Sequence, residues 1–423
     1  MTRRKRDLAE TIRAALEARK PGHRLAKALE KWAGAELTRA DAEGLVAVMA
    51  EQTAVGPLVV GDDECALRYL AELFQADSTD DATRVLRDGG MKELTRLFDA
   101  AAELPDCPTP PLAVVCQMFA LYAYAPGVQR VAETVRRHPD EAIWETVFGL
   151  YGEENHPHGP ALVEQLRDPL PDGFAAVVLL DLANTLGRQK RLERHPFDTA
   201  DGYQRIEAWL TDPDEEHFHS AHSAAAALPF LAAKNRTALA ALAMDHPAVR
   251  VQMEAAWASA YLGGTAGLKF LARLCEDPRH SLTARRYLDD LGQSDRVPAP
   301  VREPDFEAMA QMCQWLAHPS EHGRPPEEIE LYDTRELDWP PTNDRRRLWL
   351  FKFAYLDSNG NDTGRTGLGL VGSITFSLGG ETTADMSPED AYGVHCCWEL
   401  EVNDDPRAPK TRSAKAGRKL LGI

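Results

Sequence analysis

Between residues 7 and 318 apolar side chains recur every three to four positions, and no stretch alternates with a period of two. The run after Pro247 illustrates the rule. Val249, Met253, Ala256, Trp257, Ala260 and Tyr261 fall on one helical stripe that stops at Gly263-Gly264. A second helix follows with Leu268, Leu271 and Cys275 on one face. The pattern restarts after Asp277-Pro278 with Ala284, Tyr287, Leu288 and Leu291. Asp212, Asp245 and Asp277 each open such a unit, 33 and 32 residues apart. A period of this size with two helices per unit predicts an α-solenoid, in which each helix pair buries its apolar face by stacking on the next. Proline-rich breaks at 105–111, 156–160 and 168–173 end helices, because proline offers no amide donor.

Beyond residue 318 the grammar changes to a period of two. RLWLFKFAYLD sets Trp349, Phe351, Phe353 and Tyr355 on one face, and GLGLVGSITFSL does the same for Leu368, Leu370, Ile374, Phe376 and Leu378. YGVHCCWELEV alternates likewise, with Tyr392, Val394, Cys396, Trp398, Leu400 and Val402 together. These predict three half-buried strands of a mostly antiparallel sheet, with DSNGND as the turn between the first two. The expected organisation is a basic N-terminal helical segment (1–31), an α-solenoid (32–292), a linker and helix (293–328), a small β-rich domain (329–404) and a basic, mobile tail (405–423). The expected fold class is mainly α.

DHPAVRVQMEAAWASAYLGG and EDPRHSLTARRYLDDLG resemble HEAT repeats of the short bacterial kind. Asp245, Val249, Arg250, Ala256, Leu262 and Gly263 carry the resemblance. The next unit keeps Asp277, Leu291 and Gly292 but has Ser281-Leu282 where Val-Arg is expected. VLRDGGMKELTRLFDAA (85–101) is similar to an armadillo-repeat turn and third helix, with Gly89-Gly90 at the helix break. The resemblance implies a HEAT/armadillo-like superhelix whose Asp and Arg brace neighbouring repeats. It implies a concave binding face and no reaction. The C-terminal unit resembles no family.

Charge alters the picture of what could bind. The chain of 423 residues has 48 Lys+Arg against 66 Asp+Glu, a net −18. Residues 1–31 sum to +6 and residues 405–423 to +5, so the body between them carries −29. A body of that sign repels phosphate backbones, which makes nucleic acid an unfavourable partner for it. No apolar run reaches the ~20 residues of a membrane helix, and the basic N-terminus lacks the apolar core of a secretory signal. The expectation is a soluble, cytoplasmic protein without membrane insertion. Seven scattered cysteines form no C-x-x-C pair and read as buried reduced thiols.

Candidate chemistry is sparse. Gly367, Gly369 and Gly372 spell GxGxxG, but β-branched residues follow where a dinucleotide loop would open a helix. They read as glycines that permit close packing. DSNGNDTGRTGL has Asp357, Asn359 and Asn361 at calcium-loop positions, yet Asp362 and Leu368 stand where Gly and Glu are required. In EEHFHSAH, Glu215, His219 and His222 would share a helix face at i, i+4 and i+7, a weak metal candidate set against the reading of an exposed first turn. No nucleophile motif, HExxH or P-loop occurs, and no cofactor or metal is expected.

The function expected is a non-enzymatic protein-interaction scaffold. Its concave face would take a basic or amphipathic segment of a partner protein, with Arg250, Trp257 and Tyr261 as contact residues. The alternatives are a HEAT-like enzyme acting on a nucleic-acid base or pigment, and a nucleic-acid tether working through the basic termini.

Overall fold

The computed structural model describes residues 7–423 apart from 33, 62–63, 106, 357–361, 380–382 and 384. The fold is mainly helical, with a small four-stranded antiparallel sheet toward the C-terminus. The chain forms two compact units that meet in sequence at Val251/Gln252.

The first unit opens with α1 (Leu8–Leu16), α2 (Pro21–Leu29), α3 (Arg39–Glu51), α4 (Ala66–Glu72), α5 (Asp80–Val85) and α6 (Met91–Ala102). It continues with α7 (Thr109–Leu121), α8 (Gly127–Arg137), α9 (Ile143–Gly152), α10 (Gly159–Leu166) and α11 (Gly173–Arg188). Then come α12 (Ala200–Thr211), α13 (Phe218–Ala227) and α14 (Ala233–Asp245), and α15 (Val249–Tyr261) runs on into the second unit. Local signals set the starts. Thr38 and Asp41 form a reciprocal capping box on α3, Thr199 caps α12, and prolines occupy the first turns of α2, α7 and α10. From α7 onward the helices stack in two layers: α7, α9, α11 and α13 pack in succession, while α8 packs on α10 and α12 on α14. Trp144, Phe148 and Tyr151 of α9 and Leu179 and Leu180 of α11 are fully buried between the layers.

Gly89-Gly90 does not break a helix. A π-helical turn, Leu86–Gly90, joins α5 to α6 without interruption, and the Phe74 ring lies 3.0 Å from where a Cβ of Gly90 would stand. The braces between helices also differ from those the resemblance implies. Arg96 donates to Met49 O (2.7 Å) and Gln52 O (3.0 Å) at the end of α3, and Arg191 donates to Glu153 O (3.0 Å) after α9. Each satisfies carbonyls orphaned at a helix C-terminus. Arg130 holds Asp99 bidentately at 2.6 Å, tying α8 to α6. Arg250 makes no ion pair or hydrogen bond among the described residues.

The second unit holds α16 (Thr265–Leu274), α17 (Ser281–Asp290) and α18 (Pro304–Leu316), then β1 (Glu328–Trp339), β2 (Asp344–Leu356), β3 (Asp362–Val371) and β4 (Phe376–Gly379). Two helices close it, α19 (Pro388–Val402) and α20 (Ala414–Leu421). The strand order is β1-β2-β3-β4, all antiparallel. Alternation along β2 sends Phe351, Phe353 and Tyr355 to α18 and Leu348 and Leu350 to α19 and α20, so the sheet lies between helical layers. Gly369 leaves room for α18: a Cβ there would stand 2.4 Å from the Met312 sulfur. GxGxxG is thus a packing device on a strand.

Three expectations need correction here. YGVHCCWELEV is helix, not strand: Ser387 accepts from the Asp390 amide, Pro388 sits in the first turn, and Cys396 and Cys397 are both buried on α19. GLGLVGSITFSL is two strands, turned at Gly372 with φ +111°, and an unpredicted strand, β1, precedes β2. The tail, expected to be mobile, contains a helix: Ser413 caps α20, and its Leu420 and Leu421 pack on the sheet core. A Cβ on Gly417 would lie 1.9 Å from Gly393 O, so α20 and α19 touch backbone to backbone. The expected DSNGND turn lies outside the described residues.

Candidate functional site

Three successive helices of one layer, α9, α11 and α13, together with the first turn of α15, enclose a groove of about 890 Å³. Its floor is apolar. Phe148, Val177, Val178, Leu182 and Val251 are buried there, and Phe174 and Phe218 are half-buried along it. α9 contributes depth by what it lacks: Gly149 and Gly152 face the groove, and nothing lies within 4 Å of where a Cβ of Gly149 would stand.

The lining also carries charge of both signs. Glu145 of α9, Glu153 just past its end and Asp181 of α11 supply carboxylates, while His219 and His222 of α13 and Arg250 of α15 supply bases. Asp181 reaches solvent, yet the surrounding helices desolvate it and raise its carboxyl above the ordinary range. The Ser223 hydroxyl and the nearby His222, Arg188 and His219 pull the other way. Arg250, without an ion-pair or hydrogen-bond partner among the described residues, brings a cation to the same space.

The residues singled out in the sequence distribute unevenly. Of the three contact candidates, Arg250 lines the groove. Trp257 and Tyr261 belong to the second unit, where Trp257 is buried and stacks on Tyr261 with ring centroids 5.2 Å apart. The metal set does not assemble. Glu215 lies in a short 3-10 turn, Glu215–His217, before α13 begins at Phe218, and it is not a groove residue. The helical spacing assumed for it therefore does not exist. His219 and His222 do line the groove, with His219 Nδ1 at 3.0 Å from Glu216 O. Among the described residues no group of three or more His, Cys, Asp or Glu is placed to hold a metal ion.

His246 was missed in the sequence. It is buried, its ring meets Phe218 edge-on at 4.7 Å, and its Nδ1 accepts from the Ala248 amide at 3.0 Å. Burial lowers its pKa, which keeps the ring neutral as an acceptor. It thereby fixes the turn that delivers Arg250. The His-Pro pair before an apolar stripe was the available signal.

No cysteine lines the groove. All seven cysteines are free and six are buried. Burial pushes the Cys116 and Cys313 thiols up to about 12 and that of Cys275 to about 11, away from thiolate. Among the described residues no helix is long and apolar enough to cross a membrane. Comparison with protein-family models, curated proteins and solved structures finds no match to the chain.

Proposed function

We propose that the chain is a protein-interaction module whose α9–α11–α13 groove holds an amphipathic, cationic segment of a partner protein. The observation that carries this reading is the pairing of an apolar floor with the carboxylates of Glu145, Glu153 and Asp181 on the same groove. Apolar anchors of the partner fill the floor, and Lys or Arg at its flank meets the carboxylates. The −29 balance of the body between residues 32 and 404 steers such a segment inward. The same carboxylates repel phosphate, which weighs against a base-modifying enzyme at this groove. A nucleic-acid tether through the tail is weakened as well. Arg407, Arg412 and Arg418 are paired with Asp405, Glu401 and Asp390 at 2.6, 2.9 and 2.9 Å, leaving only lysines uncommitted there among the described residues.

The test uses a fluorescein-labelled 18-residue helical peptide of Leu and Lys, with a Leu/Glu peptide of the same pattern as control. Binding of the Leu/Lys peptide alone, weakened at least tenfold by Gly149→Trp, supports the reading. Equal binding of both peptides, or indifference to Gly149→Trp, removes it.

A further inference from the structure

A second surface, in the other unit, stands independently of the groove. β1 is the edge of the sheet and runs for 12 residues, so alternate backbone amides and carbonyls face away from β2. Among the described residues no group outside the sheet hydrogen-bonds to its main chain between Glu328 and Asp338. Half of its residues are exposed, Glu328, Glu330, Leu331, Thr334, Glu336 and Asp338. A cleft of about 760 Å³ reaches its first residues from across the sheet, lined by Glu328, Ile329 and Glu330 of β1, Lys352 and Phe353 of β2 and Gly367 of β3, with Glu276 and Asp385.

We propose that this edge receives an extended, cationic segment of another protein as a fifth strand. The charge pattern selects the occupant. β1 carries Glu328, Glu330, Asp333, Glu336 and Asp338 against the single base Arg335. On its inner side β2 answers with Lys352 opposite Glu330, Arg347 opposite Glu336 and Arg345 opposite Asp338. The strand that β1 already accepts is therefore basic, and a second neighbour meets the same acids from the other side. Opposite charges directly across a ladder stabilise the pair, and like charges oppose it. A second copy of β1 would set acid against acid, so self-pairing is disfavoured. Charged edges and bulges protect sheets from aggregation, and β1 has both, with Tyr332 the extra residue in its register. That protection is selective, because charges that turn away a copy attract a strand of opposite sign. The main chain supplies the hydrogen bonds, Ile329 and the exposed Leu331 supply apolar contact, and the acids set the preference for alternating Lys or Arg.

The experiment uses the full chain and a labelled ten-residue peptide alternating Lys with Val, read by fluorescence anisotropy. A copy N-methylated at every residue has the same charge but no amide donors. The expected result is at least tenfold weaker binding of the methylated copy. The pair Glu328→Gln and Glu330→Gln should weaken the parent peptide about fivefold, as two rim charges do. Neither test depends on the groove, and Gly149→Trp should leave this binding unchanged. Equal binding of the two peptides overturns the proposal, as does no binding at low salt. A dimer of the free chain that pairs through β1 also overturns it, by assigning the edge to a second copy.

Discussion

Gly149 offers the sharpest separation of stability from binding. It lies inside α9, exposed, with open space where its Cβ would be. A helical glycine costs about 0.5–1 kcal/mol relative to alanine through backbone entropy. Gly149→Ala should therefore stabilise the first unit by about that amount. For a body of roughly 250 residues this corresponds to a rise of about 1–4 °C in its melting transition. Gly159 is the internal control. A Cβ there would stand 2.4 Å from Tyr151 O, so Gly159→Ala should destabilise by about 1–3 kcal/mol. Gly149→Trp tests the site, since the indole enters the groove without a backbone clash. Calorimetry should show it folded, with the Leu/Lys peptide bound at least tenfold more weakly. A destabilised Gly149→Ala would refute the open-space argument. A Gly149→Trp protein that binds the peptide normally would refute the groove.

Other consequences follow from particular contacts. Gly417→Ala forces α20 from α19 and should cost about 1–3 kcal/mol; limited proteolysis should then cut within 405–423, and an uncut tail contradicts the docking. Because the Asp181 carboxyl is raised by desolvation, its ionisation opposes folding. Stability attributable to it falls as pH rises from the unfolded value near ~3.9 through the folded one, so Asp181→Asn should flatten that fall while weakening the Leu/Lys peptide, and an unchanged melting profile against pH would refute the assignment. His395 of α19 is fully buried, and burial lowers its pKa against the pull of Glu399. The second unit should lose stability as pH drops below the unfolded value of ~6.5; His395→Phe should flatten that loss, and identical slopes in both proteins would sink the argument.

The helical array was legible because its signal is redundant. Stripes such as Val249, Met253, Ala256 and Ala260 repeat over many turns, and each restart follows an Asp that ends one helix or precedes the next. The groove was less legible. Its walls come from residues 145–153, 174–185 and 218–223, brought together by stacking at separations that no local pattern encodes. Arg250 could be named because it stands at a helix start with a recognisable spacing. Asp181 could not, since on α11 it reads as one acid on the outer face of an apolar helix. Glu215 failed for a local reason: helical spacing was extended one turn too early, into a segment that Asp214 caps as a 3-10 turn.

The failure at α19 explains most about the C-terminal unit. Tyr392, Val394, Cys396, Trp398 and Leu400 alternate in sequence, yet 392, 396, 399 and 400 also satisfy helical spacing, so apolar periodicity is ambiguous over this stretch. Caps decide such cases. Ser387-Pro388-Glu389-Asp390 is a helix start on every count: hydroxyl acceptor, proline in the first turn, and acids at the positive end. The helix must then bury polar groups from its inner face. Glu399 does so by accepting from Trp339 Nε1 at 3.0 Å and from the Ser373 hydroxyl at 2.7 Å, beside His395, which stacks on Trp339 and tilts against Trp398. A buried carboxylate is tolerable only with such donors. Trp339 ends β1 and Ser373 follows the turn at Gly372, so the same residue that makes α19 look like a polar-faced strand is what locks the helix onto both outer parts of the sheet. That lock ties the end of β1 to α19, while Glu328, Glu330 and Glu336 along the same strand stay exposed.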